Sequence, residues 1–117
     1  MHALIIEPDM WITLMIENVL RDLGYTSFTF APSSEAAIAA AKVRSPDLIT
    51  SDIRFGAGTA IEAVRQICSD GAIPVVFVTS TPWEVRATDP GATVVPKPFD
   101  EHLLKQGVAR ATAATPA

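Results

Sequence analysis

Only one cysteine, Cys68, occurs in the 117 residues, so the chain cannot close a disulfide on itself. Neither Cys68 nor the two histidines, His2 and His102, fall in the spacing of a zinc site, which fits a reducing compartment. Apolar residues never run uninterrupted for the roughly eighteen positions that a membrane-spanning helix needs. The N-terminus lacks the basic start, long apolar centre and small-residue cleavage site of an export signal, so the cytoplasm is the expected location, with no membrane partner. Positive charge is scarce as well. Nine Lys and Arg face thirteen Asp and Glu, a formal net charge of −4, and this leaves no basic surplus to neutralise a nucleic-acid backbone. What the chain does have is apolar material. With 49% hydrophobic and 19% charged residues it can bury a real core, and its length suits one domain, expected over residues 1–111 with a small-residue tail at 112–117.

Residues 3–6 are a short apolar run ending in Glu7-Pro8-Asp9, the pattern of a strand buried on both faces with acids at its carboxyl end. Ile12, Met15, Ile16, Val19, Leu20 and Leu23 then recur at spacings of three and four, one apolar helix stripe, and Gly24 stands where a left-handed cap belongs. A second strand is expected at 26–30. Pro32-Ser33-Ser34-Glu35 starts an alanine-rich helix that reaches Val43, and Ser45-Pro46 breaks it. Residues 48–52 form a third strand ending in Asp52, and 55–58 read as a flexible loop before a helix carrying Ile61, Val64, Arg65 and Cys68. A fourth strand (73–79), a short helical turn (83–87), a fifth strand (93–95) and a last helix capped by Asp100 complete the pattern. Strands alternating with helices at these spacings require right-handed crossovers, hence an α/β doubly wound parallel sheet.

In such a sheet the ligand site lies beyond the carboxyl ends of the strands. Glu7 and Asp9 follow the first strand, Asp52 the third and Lys97 the fifth, while Thr79 ends the fourth. Any one of them could be a helix cap or a solvated charge. Taken in order, Glu7, Asp52, Thr79 and Lys97-Pro98-Phe99 resemble the receiver domain of bacterial two-component response regulators, over essentially the whole chain. The resemblance implies a flavodoxin-like (βα)5 sheet in strand order 2-1-3-4-5. It also implies that Asp52 accepts a phosphoryl group from a sensor histidine kinase or histidine phosphotransfer protein. Thr79 would bond a phosphoryl oxygen, Lys97 would pair with Asp52 and then with the phosphoryl group, and Mg²⁺ would neutralise charge in the transition state. The expected metal ligands are Glu7, Asp9, Asp52 and the backbone carbonyl of Arg54. The Arg54 side chain and Thr81 would flank the path of a hydrolysing water, and the Lys97-Pro98 bond is expected cis. Such a receiver catalyses only its own phosphorylation and dephosphorylation and is not an enzyme with an external substrate.

Three features depart from the family. Pro8 stands where a second acid usually ligates Mg²⁺ directly, and an octahedral ion that loses a ligand must find another in Glu7, Asp9 or water. Val94 replaces the Tyr or Phe that lies three residues before the Lys, so the usual Thr–aromatic switch does not carry over. Thr79 and Lys97 are 18 positions apart, about one helical turn less than usual, and Pro82, Asp89, Pro90 and Gly91 interrupt the interval, which predicts a short or irregular fourth helix. Phe77-Val78-Thr79-Ser80 is partly similar to the Phe-Ala-Thr-Gly subfamily of general-stress-response receivers.

The expected protein is a stand-alone receiver that signals to a downstream protein by changed binding. The alternative is a degenerate receiver that binds proteins without being phosphorylated. A flavin or nucleotide domain of the same architecture is disfavoured because Glu7-Pro8-Asp9 is acidic where a phosphate cradle needs Gly N–H groups. Cys68 is expected buried, Trp11 and Trp83 partly packed, and His2 and His102 on the surface.

Overall fold

Ala3 and Ile5 pack on one face of the first strand and Leu4 and Ile6 on the other, each at most 1% exposed, so this strand lies inside a sheet covered on both sides. A computed structural model describes residues 1–55 and 58–115, with the backbone alone for 54–55 and 58–59. The elements are β1 (His2–Ile6), α1 (Met10–Asp22), β2 (Ser27–Ala31), α2 (Ser34–Val43), β3 (Leu48–Ser51), β4 (Arg54–Phe55) and β5 (Gly58–Thr59). They continue as α3 (Ala60–Ile67), a single 3-10 turn (Cys68–Asp70), β6 (Val75–Thr79), α4 (Pro82–Thr88), β7 (Thr93–Pro96) and α5 (Glu101–Ala114).

Five strands pair in parallel in the order β2-β1-β3-β6-β7, which is 2-1-3-4-5 when the strands of this sheet alone are counted. One face packs Ile16, Val19 and Leu20 of α1 with Leu104, Val108 and Ala111 of α5. The other packs Ala37 of α2, Ile61 and Val64 of α3 and Val85 of α4. β1 has β2 on one side and β3 on the other, and the helices that follow β1 and β3 leave to opposite faces. The crevice therefore opens beyond the carboxyl ends of β1 and β3, at Glu7 and Asp52.

Local chemistry sets the helix ends. The side chains of Asp9, Ser33 and Asp100, all in extended backbone, accept N–H bonds at the starts of α1, α2 and α5. Gly24 closes α1 at φ +100°, a conformation that costs a side chain dearly. Gly107 lets α5 lie close on β7, because a Cβ there would meet Val95 Cγ2 at 2.5 Å.

Several expectations change in three dimensions. Met15 is 45% exposed, and Thr13 takes a place in the buried stripe with its hydroxyl bonded to Asp9 O at 2.9 Å. Trp11 and Trp83 are 81% and 62% exposed rather than packed. His2, expected on the surface, is buried, because the parallel register of β1 with β2 sets its ring between Ser27 Oγ (2.8 Å) and Thr29 Oγ1 (2.9 Å). Cys68 is half-buried at the start of the 3-10 turn, and burial still pushes its thiol up. The loop expected at 55–58 has paired ends, Arg54 with Thr59 and Phe55 with Gly58, while 56–57 lie outside the described residues. α5 continues through 112–114 of the expected tail, since Ala111 is buried and the Thr112 and Thr115 hydroxyls bond back to Val108 O and Ala111 O. Residues 116–117 of that tail lie outside the described residues.

Candidate functional site

Four of the five strands of the main sheet, all but β2, supply one side chain each at their carboxyl ends. Glu7 follows β1, with its N–H bonded to Ala31 O of β2, and Asp52 follows β3, with its N–H bonded to Ile6 O of β1. Thr79 ends β6, and Lys97 follows β7 with its N–H on Thr79 O at 2.8 Å, so the sheet ladder holds all four in register. The Lys97-Pro98 peptide is cis.

The Lys97 ammonium joins the carboxylates, with Nζ 2.8 Å from Glu7 Oε1 and 3.2 Å from Asp52 Oδ2. The remaining oxygens are also engaged. Glu7 Oε2 accepts the Asp9 N–H at 3.1 Å, and Asp52 Oδ1 accepts the Ile53 N–H at 2.7 Å. Burial raises the Glu7 carboxyl above its ordinary range, against the bonds from Lys97 and the Asp9 N–H. Burial alone would lower Lys97, but its bond to Glu7 and the charges of Glu7 and Asp52 hold it above the usual lysine value. The crevice thus contains one firmly charged cation between two carboxylates.

Thr79 is 1% exposed, and its Oγ1 accepts the Thr81 N–H at 3.0 Å and lies 3.2 Å from Thr81 Oγ1, which donates to Glu84 Oε2 at 3.2 Å. Sequence reading passed over Glu84. The signal was there, since Thr81-Pro82-Trp83-Glu84 has the Thr-x-x-Glu spacing of a capping box.

Asp9, expected among the metal ligands, starts α1. Its Oδ1 accepts the N–H groups of Trp11 and Ile12 and starts α1, because with Pro8 in the turn Asp9 is the residue that falls at the N-cap. The Arg54 side chain lies outside the described residues. Among the described residues no three His, Cys, Asp or Glu side chains gather to hold a metal. Glu7 and Asp52, converging on one ammonium, fit an ion of the Mg²⁺ type that keeps most of its water and takes two carboxylates.

The family model for the response regulator receiver domain matches residues 3–109. The chain belongs to that family. Among curated relatives, this receiver is 30% identical over 102 residues to the transcriptional regulatory protein PdtaR of Mycobacterium tuberculosis, covering 84% of the chain and 50% of PdtaR, so the chain spans half the length of that relative. It is 27% identical to the chemotaxis protein CheY of Pseudomonas aeruginosa over 115 residues, 92% of the chain and 93% of CheY. The PhyR response regulator receiver domain of Erythrobacter litoralis superposes with a TM-score of 0.87 at 28% identity, covering 99% of this chain and 92% of that one. Among the described residues no helix is long and apolar enough to cross a membrane.

Proposed function

We propose that this receiver is a phosphorelay switch whose phosphoacceptor is Asp52. The observation that carries the reading is the Lys97 Nζ on Asp52 Oδ2 at 3.2 Å, beside a buried Thr79 hydroxyl, at the switch point of the sheet. A carboxylate oxygen of Asp52 attacks the phosphorus of a phosphohistidine on a sensor kinase or phosphotransfer protein. The P–O bond forms as the P–N bond breaks, and the imidazole leaves with the P–N electron pair. Lys97 is charged in advance and turns from Asp52 to the phosphoryl oxygens, so little reorganisation is needed as charge develops. Thr79 donates its hydroxyl to another of those oxygens. Glu7 keeps Lys97 aimed into the crevice throughout.

Glu7, Asp52 and the Arg54 backbone carbonyl would hold Mg²⁺, which supplies neutralisation of the transferring phosphoryl group. Asp9 remains the cap of α1. The product is an acyl phosphate on the protein itself, so the chain acts on no external substrate and its output is altered binding to a downstream protein. A Bartonella quintana PhyR is described as an anti-anti-sigma factor, which makes an anti-sigma type protein a candidate target here. The degenerate-receiver alternative draws support from Pro8 and from the diversion of Asp9, which together leave two carboxylates in the crevice.

Intact mass after incubation with a small phosphoramidate, with and without Mg²⁺, tests the reading. Wild type should gain about 80 Da, one phosphoryl group, in a Mg²⁺-dependent way, and Asp52→Asn should gain nothing. Folded wild type that gains no mass moves the assignment to the phosphorylation-independent binder.

A further inference from the structure

Among the described residues four helix starts have a polar N-cap, and three behave alike. Asp9, Ser33 and Asp100 sit in extended backbone with the side chain accepting N–H bonds. Thr81, the N-cap of α4, is at φ −125° and ψ 63° and makes no side-chain cap bond. Its groups are engaged elsewhere. The hydroxyl donates its one proton to Glu84 Oε2, so the Thr79–Thr81 hydroxyl contact must be donated by Thr79. The Thr81 N–H goes to Thr79 Oγ1. In a closed Thr-x-x-Glu capping box that N–H belongs to the glutamate, and the threonine hydroxyl accepts the N–H of the glutamate. Here the Glu84 N–H goes to Thr81 O. Thr79 therefore holds the box open.

We infer that withdrawal of the Thr79 hydroxyl toward a phosphoryl group on Asp52 closes a Thr81–Glu84 capping box and so transmits the signal to α4. The inference rests on the phosphoacceptor reading above. Among the described contacts each donor exchanges one acceptor for another, the Glu84 N–H giving up Thr81 O. Thr79 O–H leaves Thr81 Oγ1 for a phosphoryl oxygen, the Thr81 N–H leaves Thr79 Oγ1 for the Glu84 carboxylate, and Thr81 Oγ1 accepts the Glu84 N–H. Closing the box takes Thr81 from ψ 63° into the extended region that the other three caps occupy. Val85, fully buried, anchors the helix to the sheet, while Trp83 beside it is 62% exposed and moves with the first turn. Two arrangements of one element, biased by one side chain at the site, are what a switch requires. Val94, without an aromatic ring to swing, leaves this relay to do the coupling.

Amide NMR of Thr81 tests it, paired with intact mass on the same samples. A carboxylate is a stronger acceptor than a hydroxyl, so box closure moves the Thr81 amide proton downfield. Phosphorylated wild type should show that shift, and Thr79→Ala should show it without any phosphoryl donor. Glu84→Gln, which still accepts from Thr81, should keep a smaller downfield shift. Glu84→Ala, phosphorylated to the same extent, should shift upfield as the N–H passes to water. A mass gain in wild type without the downfield shift overturns the inference alone, as does a downfield shift retained in Glu84→Ala. A downfield shift in Thr79→Ala combined with no mass gain in wild type supports the relay and sinks the phosphoacceptor reading.

Discussion

Lys97 sits closer to Glu7 than to the acid it is expected to serve, 2.8 Å against 3.2 Å, although 90 residues separate Lys97 and Glu7 in sequence. The Glu7 side chain is only 1% exposed, so its charge depends on Lys97 far more than that of Asp52, whose side chain is 15% exposed.

Removing the cation should therefore destabilise the fold as well as block phosphoryl transfer. Lys97→Met leaves a buried carboxylate without its partner, and the expected loss is about 3 kcal/mol at neutral pH. Urea unfolding of wild type and variant measures it. Addition of Glu7→Gln in the Lys97→Met background should recover much of the loss, because the stranded charge is then gone. A loss from Lys97→Met well under about 1 kcal/mol would place the pair among surface ion pairs of little weight.

Pro8 is expected to set the metal affinity of the proposed site. With two carboxylates at the site, Mg²⁺ binding should be weak, and Pro8→Asp should restore a third acid and tighten it by about tenfold or more, 1.4 kcal/mol per tenfold. Isothermal titration on both proteins compares them. Equal affinity would mean that the residue after Glu7 does not reach the ion in this chain.

α5 and β7 touch at Gly107. An alanine there favours helix by about 1 kcal/mol, but its Cβ would stand 2.5 Å from Val95 Cγ2 and must push the strand away. Overpacking of this kind costs about 1–3 kcal/mol, so Gly107→Ala should lower thermal stability. Gly107→Ala combined with Val95→Ala should recover part of it, and a single variant as stable as wild type would show that α5 shifts freely.

His2 should make stability fall on mild acidification. Burial lowers its pKa first, Arg44 and the N-terminal amine act in the same sense, and Asp47 opposes them. The unfolded chain therefore takes up a proton near pH 6.5 while the folded protein resists. The resulting loss begins near that value, grows as pH falls to the lowered folded pKa and is constant below it. The difference in unfolding free energy between wild type and His2→Gln should shift against wild type across this window. A difference independent of pH between 7 and 5 rejects the assignment.

The strand–helix alternation was legible because each signal is local. Residues 3–6 are apolar without interruption, Gly24 ends a periodic stripe, Asp100 precedes a helix, and prolines cut the fourth helix to seven residues. The site residues were legible for a related reason, since a parallel sheet carries every strand end to one rim and the polar residues stand at those ends. Met15 was misread because periodicity says that a face exists but not where its edge falls, and Trp11 because a large aromatic ring is usually at least partly packed.

Sequence alone thus determined the layers and the strand ends, written in short-range patterns, and its resemblance to receivers picked out Glu7, Asp52, Thr79 and Lys97. Only the tertiary structure decided how those residues share their bonds. That Lys97 leans on Glu7, that Asp9 caps α1, that His2 is buried between two hydroxyls, and that Thr79 rather than Glu84 takes the Thr81 N–H all depend on distances of about 3 Å. These distances are set by the register of strands and turns up to 90 residues apart. A hydrogen bond has one donor and a limited number of acceptors, and which partner takes it is settled by packing.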